Sequence, residues 1–173
     1  MSLDRLWNGW RSTYVGAAGA PSAGPSVFSG ILGSGLPDDE TYIVHRGTTC
    51  FVILNAFPYA TGHMLVLPYR ETGDLADLTA EEAQELWATV THAVEAVRAS
   101  HSPDALNVGI NLGASAGGSI STHLHVHVVP RWEGDSNFMT AVANTRTLPE
   151  PLADTHRRIV AAWPSSGSGR STR

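Results

Sequence analysis

THLHVHVVPRW, running from Thr122 to Trp132, decides how the rest of the chain is read. His123, His125 and His127 alternate with Leu124, Val126 and Val128 before Pro130 and Arg131 close the run. In an extended strand successive side chains point to opposite faces, so the imidazoles share one face and the aliphatics the other. A purely structural strand has little use for aligned groups whose ordinary pKa is about 6.5, because repulsion and desolvation both work against them. The polar face therefore points to chemistry and the apolar face to core. Two chemistries compete: neutral imidazoles can hold a transition metal, or one can attack phosphorus while its neighbours position and protonate.

The preceding stretch, NLGASAGGSIST from Asn111 to Thr122, supplies Gly113, Gly117 and Gly118 with Ser115 and Ser119, and no carboxylate. Exposed backbone N–H groups in such a turn favour an anion, typically phosphate, over a cation. A Gly-Gly-Ser turn alone is usually only a turn, and its weight here comes from abutting the histidines.

Composition agrees with a small enzyme acting on small molecules. A chain of 173 residues with 42% hydrophobic content can bury one sizeable core. Its net charge of −5 offers no electrostatic case for a nucleic acid polymer. MSLDRLWNGW lacks the order of a signal peptide and no apolar run is long enough for a bilayer, so the expected partners exclude membranes and the expected location is the cytoplasm. Cys50 is the one cysteine, which suits a reducing compartment, and its neighbours Phe51 to Leu54 suggest a buried thiol.

In chain order, residues 1–15 read as an N-terminal arm with a short helix, on which Leu6, Trp7, Trp10 and Tyr14 form a core or subunit contact. Residues 16–37, rich in Gly, Ala, Ser and Pro, read as a flexible loop. TYIVHRG, TCFVILN and HMLVLPY read as paired strands. LTAEEAQELWATVTHAVEAVRAS is a helix with Thr79 and Glu82 as its capping box and Ala83, Leu86, Val90, Val94 and Val97 on its buried face. Glu81, Glu85 and Arg98 mark its charged edge, and Ser102 and Pro103 end it. ALNVGINL alternates as a half-buried strand, its Asn107, Gly109 and Asn111 face free to join the histidines. ADTHRRIVAAW reads as a short C-terminal helix, and residues 164–173 as a disordered tail.

HLHVHVV resembles the His-φ-His-φ-His-φ-φ pattern of the histidine triad nucleotide-binding family, and the Pro-Arg after it and Gly-Gly before it fit the same pattern. LWNGWRSTYV is similar to the opening of many bacterial members, and NAFPYATGHMLVLP to the family's segment ending in Gly-His-x-Leu-Val-x-Pro. The resemblance implies that His125 is the nucleophile on the α-phosphate of a nucleotide, with His123 and His127 orienting it and handling protons. It also implies phosphate contacts from Asn111, Gly117, Gly118 and Ser119. Asn55, at a strand end, can bind a ribose diol or cap its own loop with about equal weight, and the resemblance tips it towards ribose. His63, beside Gly62, is read as a hydrogen-bonded histidine near the site rather than a catalyst. Arg131 can hold phosphate with two donors, although a strand-end arginine more often sits in solvent or pairs with an acid. Trp132 can pack on a base or simply in the core.

SVFSGIL, Ser26 to Leu32, looks like the Cys-x-x-Cys segment that many relatives use for structural zinc, with Ser26 and Ser29 in the cysteine places. Hydroxyls do not replace thiolates for zinc, so structural zinc is expected to be absent. No cofactor is expected beyond magnesium carried with the nucleotide.

Hydrolytic branches of the family commonly place Gln four residues before the first histidine, where this chain has Ser119. That departure, with GGSISTHLHVHVVPRW and GDSNF, resembles actinobacterial-type diadenosine tetraphosphate phosphorylases, in which phosphate rather than water resolves the nucleotidyl-histidine. The implied reaction is phosphorolysis of diadenosine tetraphosphate to ADP and ATP. The alternatives are a dinucleoside polyphosphate or nucleoside phosphoramidate hydrolase releasing AMP, and a noncatalytic nucleotide- or metal-binding protein. The expected architecture is α+β: a twisted, mainly antiparallel sheet carrying one long helix, over residues 38–163. Two protomers are expected to pair in the family's manner, with a dimer of dimers left open.

Overall fold

The computed structural model describes residues 24–116, 120–135 and 149–165. The N-terminal arm, Gly117, Gly118, Ser119, Asn137 and residues 166–173 of the tail lie outside the described residues.

The described elements are α1 (Val27–Leu32), α2 (Asp38–Thr41), β1 (Ile43–Arg46), β2 (Cys50–Leu54), β3 (Met64–Pro68), α3 (Ala80–His101), β4 (Ala105–Ile110), β5 (Val126–Arg131) and α4 (Leu152–Ala161). Short 3-10 turns cover Leu75–Asp77 and Ala114–Ala116. The five strands form one sheet in the order β1-β2-β3-β5-β4, every pair antiparallel. This is the expected α+β arrangement.

β-Branched and aliphatic residues on both faces make β2 and β3 buried along their whole length. Val52, Leu54, Met64, Val66, Val126 and Val128 face α3, whose Leu86, Val90, Ala93, Ala96 and Val97 complete that core with Ile159 of α4. Phe51, Ile53, Leu65 and Leu67 face the other way and meet Phe28 of α1. The capping box of α3 forms as expected: Thr79 Oγ1 accepts from the Glu82 N–H and the Glu82 carboxylate accepts from the Thr79 N–H. Two αL residues, Tyr42 and Ser102, close α2 and α3.

Three readings are corrected. Residues 16–37 are not a loop throughout: their second half holds α1, capped by Ser26 and anchored by buried Phe28. Gly and Ser content hid the helix, because Phe28, Ile31 and Leu32, which pack on the sheet, are set among Ser26, Ser29, Gly30 and Gly33, which also favour turns. Glu85, on the charged edge of the helix, has a structural use that the edge reading missed. Its carboxylate folds back to accept from the backbone N–H groups of Thr48 and Thr49 and from the Thr49 hydroxyl, holding the β1–β2 turn. Nor do all three histidines lie in a strand, since β5 begins at Val126 and only His127 belongs to it.

Cys50 is buried as expected; burial pushes its thiol up to about 11, and its Sγ lies 3.3 Å from Thr89 Oγ1. His156, which the sequence left without a role, is buried and donates from Nε2 to the Ile43 carbonyl at 2.8 Å.

Candidate active site

β3 and β4 flank β5, and their register fixes what surrounds the triad. His127 pairs with Leu65 on one side and Gly109 on the other. Gly109 has no side chain and a Cβ there would meet nothing within 4 Å, so the polar face of β4 leaves space beside His127. The pairing of Ile110 with Val126 carries half-buried Asn111 towards His125. Although His123 and His125 precede the strand, they remain on the same side: Phe28 meets the rings of both, and the His125 and His127 rings are 4.9 Å apart.

Hydrogen bonds to backbone groups assign the tautomers, because a carbonyl can only accept and an N–H can only donate. His125 donates from Nδ1 to the His123 carbonyl at 2.8 Å, which leaves Nε2 with its lone pair. His123 is fully buried and donates from Nε2 to the Pro68 carbonyl at 2.8 Å, so its Nδ1 accepts from Ser26 Oγ at 2.7 Å. His63, also buried, accepts at Nδ1 from the Tyr59 N–H at 3.1 Å and offers Nε2–H to His127 Nδ1 at 3.0 Å. His127 Nε2 must then carry a proton, and that buried atom has no partner among the described residues. The site thus presents a nucleophilic nitrogen on His125 and an unspent N–H on His127.

Electrostatics keep both rings neutral. Burial lowers the pKa of His125, and burial with the neighbouring His125 lowers that of His127 to about 4. In the free protein His127, to which the resemblance gives a proton-handling role, is therefore a neutral hydrogen-bond donor.

The flanking residues divide. His63 belongs to the site, as a hydrogen-bonded neighbour of His127. Asn55 caps its own loop, Oδ1 accepting from the Phe57 N–H at 3.0 Å, with Nδ2 3.4 Å from His63 Nδ1. Arg131 is acid-paired: Nε and Nη2 donate to both Asp135 oxygens at 2.6 and 2.7 Å, and Nη1 donates to Asn107 Oδ1 at 3.1 Å. Trp132 is half-buried, its N–H donating to Asp135. Sequence reasoning missed Tyr59, Pro68, Thr72 and Glu71. Pro68 and Thr72 act through backbone groups, which leave no residue-type signal, while Tyr59 adds to its backbone N–H a ring that lies 4.7 Å from that of His63 and stacks 6.0 Å from that of His127.

Residues 38–134 match the HIT domain. The chain belongs to the histidine triad, or HIT, family. AP-4-A phosphorylase of Mycobacterium tuberculosis strain H37Rv is 42% identical over 167 residues, covering 93% of this chain and 85% of that protein. A Bis(5'-nucleosyl)-tetraphosphatase [asymmetrical] of Schizosaccharomyces pombe is 33% identical over 93 residues, 54% of this chain and 50% of its own. Among solved HIT-family structures, a Zn-bound protein from Mycobacterium smegmatis superposes with TM-score 0.64 at 30% identity, over 79% of this chain and 91% of that one. A Hit-like protein from Bartonella henselae gives 0.65 at 26%, over 79% and 94%.

Proposed function

We propose that this HIT-family protein is an enzyme that phosphorolyses diadenosine tetraphosphate to ADP and ATP through a nucleotidyl-His125 intermediate. The observation that carries the reading is the bond from His125 Nδ1–H to the His123 carbonyl, which leaves the Nε2 lone pair as a nucleophile. The 42% identity to a mycobacterial AP-4-A phosphorylase along most of both chains supports the substrate.

His125 Nε2 attacks the α-phosphorus, the bridging P–O bond breaks and ATP leaves as the polyphosphate anion. The imidazole keeps its Nδ1–H, and the cationic ring so formed is stabilised by the His123 carbonyl. His127 Nε2–H, without a partner among the described residues, donates to a phosphate oxygen. An oxygen of inorganic phosphate then attacks the same phosphorus, the N–P bond breaks and ADP leaves. Asn111, Gly117, Gly118 and Ser119 hold the phosphates in this reading, and Asn55 the ribose once its loop bond yields. Arg131 joins the phosphate contacts only by leaving Asp135.

No resident metal takes part. Ser26 and Ser29 are hydroxyls already bonded within their own cluster, a donor set that does not suit zinc. Magnesium enters with the nucleotide. Two protomers pair along β4, a reading supported by its position at the sheet edge with Val108 exposed there. No helix among the described residues is long and apolar enough to cross a membrane, and the lone cysteine supports a cytoplasmic location.

Product analysis tests the reading directly. Incubation with diadenosine tetraphosphate should give ADP and ATP only when inorganic phosphate is present, and His125→Ala should abolish turnover while nucleotide binding persists. AMP with ATP in both conditions would make the protein a hydrolase, and no turnover at all would reject catalysis on this substrate.

A further inference from the structure

Ser26, Ser29 and Glu71 touch none of the reacting groups, yet they are tied to them by a continuous set of hydrogen bonds. Both Glu71 carboxylate oxygens accept from the Ser26 N–H at 3.1 Å, and one also accepts from the Ser29 hydroxyl at 2.8 Å. Ser26 Oγ accepts from the Ser29 N–H at 3.2 Å as the cap of α1 and donates to His123 Nδ1 at 2.7 Å. The Ser26 hydroxyl points its hydrogen at the imidazole, not at the more distant Ser29 hydroxyl at 3.2 Å, because His123 donates its Nε2–H to the Pro68 carbonyl and leaves Nδ1 as an acceptor.

The same segment of chain grips the next peptide. The His123–Leu124 peptide gives its N–H to the Thr72 carbonyl at 2.6 Å and its C=O to His125 Nδ1 at 2.8 Å. Thr72 adjoins Glu71, so one short stretch after β3 holds His123 by its ring and by its peptide. Arg70 fixes that stretch in turn, donating to the Glu82 carboxylate at the start of α3 and to the Asp77 carbonyl.

We infer that Glu71 is a positioning residue for the nucleophile His125, acting through Ser29, Ser26 and His123. Phe28, with Ile31 and Leu32 beside it, gives α1 an apolar seat, whereas burying a serine, a histidine and their bonds is costly unless every group is matched. What the polar tie adds is a single ring orientation for His123, and therefore a fixed carbonyl opposite His125 Nδ1. A His123 ring without a donor at Nδ1 can turn, and the peptide that selects the His125 tautomer turns with it. The role rests on the proposed nucleophile, but its structural half is measurable without turnover.

The test compares Glu71→Gln, Ser26→Ala and Ser26→Thr with the wild-type chain, labelled with 15N-histidine. Steady-state kinetics use diadenosine tetraphosphate and inorganic phosphate. Ser26→Ala should lower kcat about 10- to 100-fold with KM within about twofold, Glu71→Gln should lower it less, and Ser26→Thr should restore most of it. The 15N shifts of His125 should move from one Nδ1–H tautomer to a mixture in the first two variants. An unchanged His125 tautomer in both, with the loss confined to melting temperature, overturns the inference. If the wild-type chain does not turn over this substrate, the functional reading fails while the tautomer comparison still decides this one. Should Ser26→Ala not fold, Glu71→Gln, which keeps the side chain's shape, carries the comparison alone.

Discussion

His63 holds His127 through a 3.0 Å contact between His63 Nε2 and His127 Nδ1, while the backbone N–H of Tyr59 occupies His63 Nδ1. A main-chain N–H cannot accept, so the proton sequence along the three groups runs one way and ends at His127 Nε2. Replacing His63 with leucine removes the donor and lets His127 choose its tautomer. We expect kcat to fall about 10- to 100-fold, read in steady-state assays, with 15N spectra of His127 showing both tautomers. A His63→Leu variant with wild-type kcat would detach His63 from the chemistry.

Stability should fall as pH drops below the ordinary histidine range. His127 has its pKa lowered to about 4, and His125, His45 and His101 are also lowered, burial being the largest cause in each. Between an unfolded value of about 6.5 and the folded one, the unfolded chain binds more protons. Stability is therefore full above that unfolded value and is lost as pH falls towards 4. His127, half-buried beside His125, contributes to this loss. Denaturant midpoints at pH 7.5, 6, 5 and 4.5 should decline steadily, and His127→Gln should flatten the decline. A flat profile in the wild-type chain would contradict the buried neutral ring.

Gly73 lies where the stretch after β3 passes Ser121, and a Cβ there would sit 2.8 Å from the Ser121 carbonyl oxygen. That oxygen is backbone and cannot swing aside as a side chain can. Gly73→Ala should cost about 1–3 kcal/mol, measured by chemical denaturation. Because Thr72 bonds the His123–Leu124 peptide, it should also reduce kcat, unlike a lesion of equal cost elsewhere.

Thr79→Ala provides that comparison. It removes the hydroxyl that accepts from the Glu82 N–H at the start of α3, and the loss should be about 1 kcal/mol. Thr79 touches no residue of the triad, so kcat at 25 °C should stay within about twofold of wild type. A large kinetic defect would mean that α3 transmits strain into the site.

Local periodicity made much of this protein legible in one dimension. The alternation from His123 to Val128 placed the imidazoles on one side and the aliphatics against α3, because side-chain direction in extended chain depends only on neighbours in sequence. The capping box at Thr79 and Glu82 and the strand runs were readable for the same reason. Even the Ser26 and Ser29 positions stood out, as places where the resemblance led one to look for cysteines. Their use did not, since Ser26 finds His123 across 97 residues and Glu71 across 45. His63 likewise meets His127 across 64 residues. The sequence by itself determined which residues build the core and which imidazoles gather beside it; tertiary structure decided which nitrogen of each histidine carries the proton. Tautomers follow from hydrogen-bond partners, and backbone carbonyls such as those of Pro68 and His123 become partners only once the chain has folded around them.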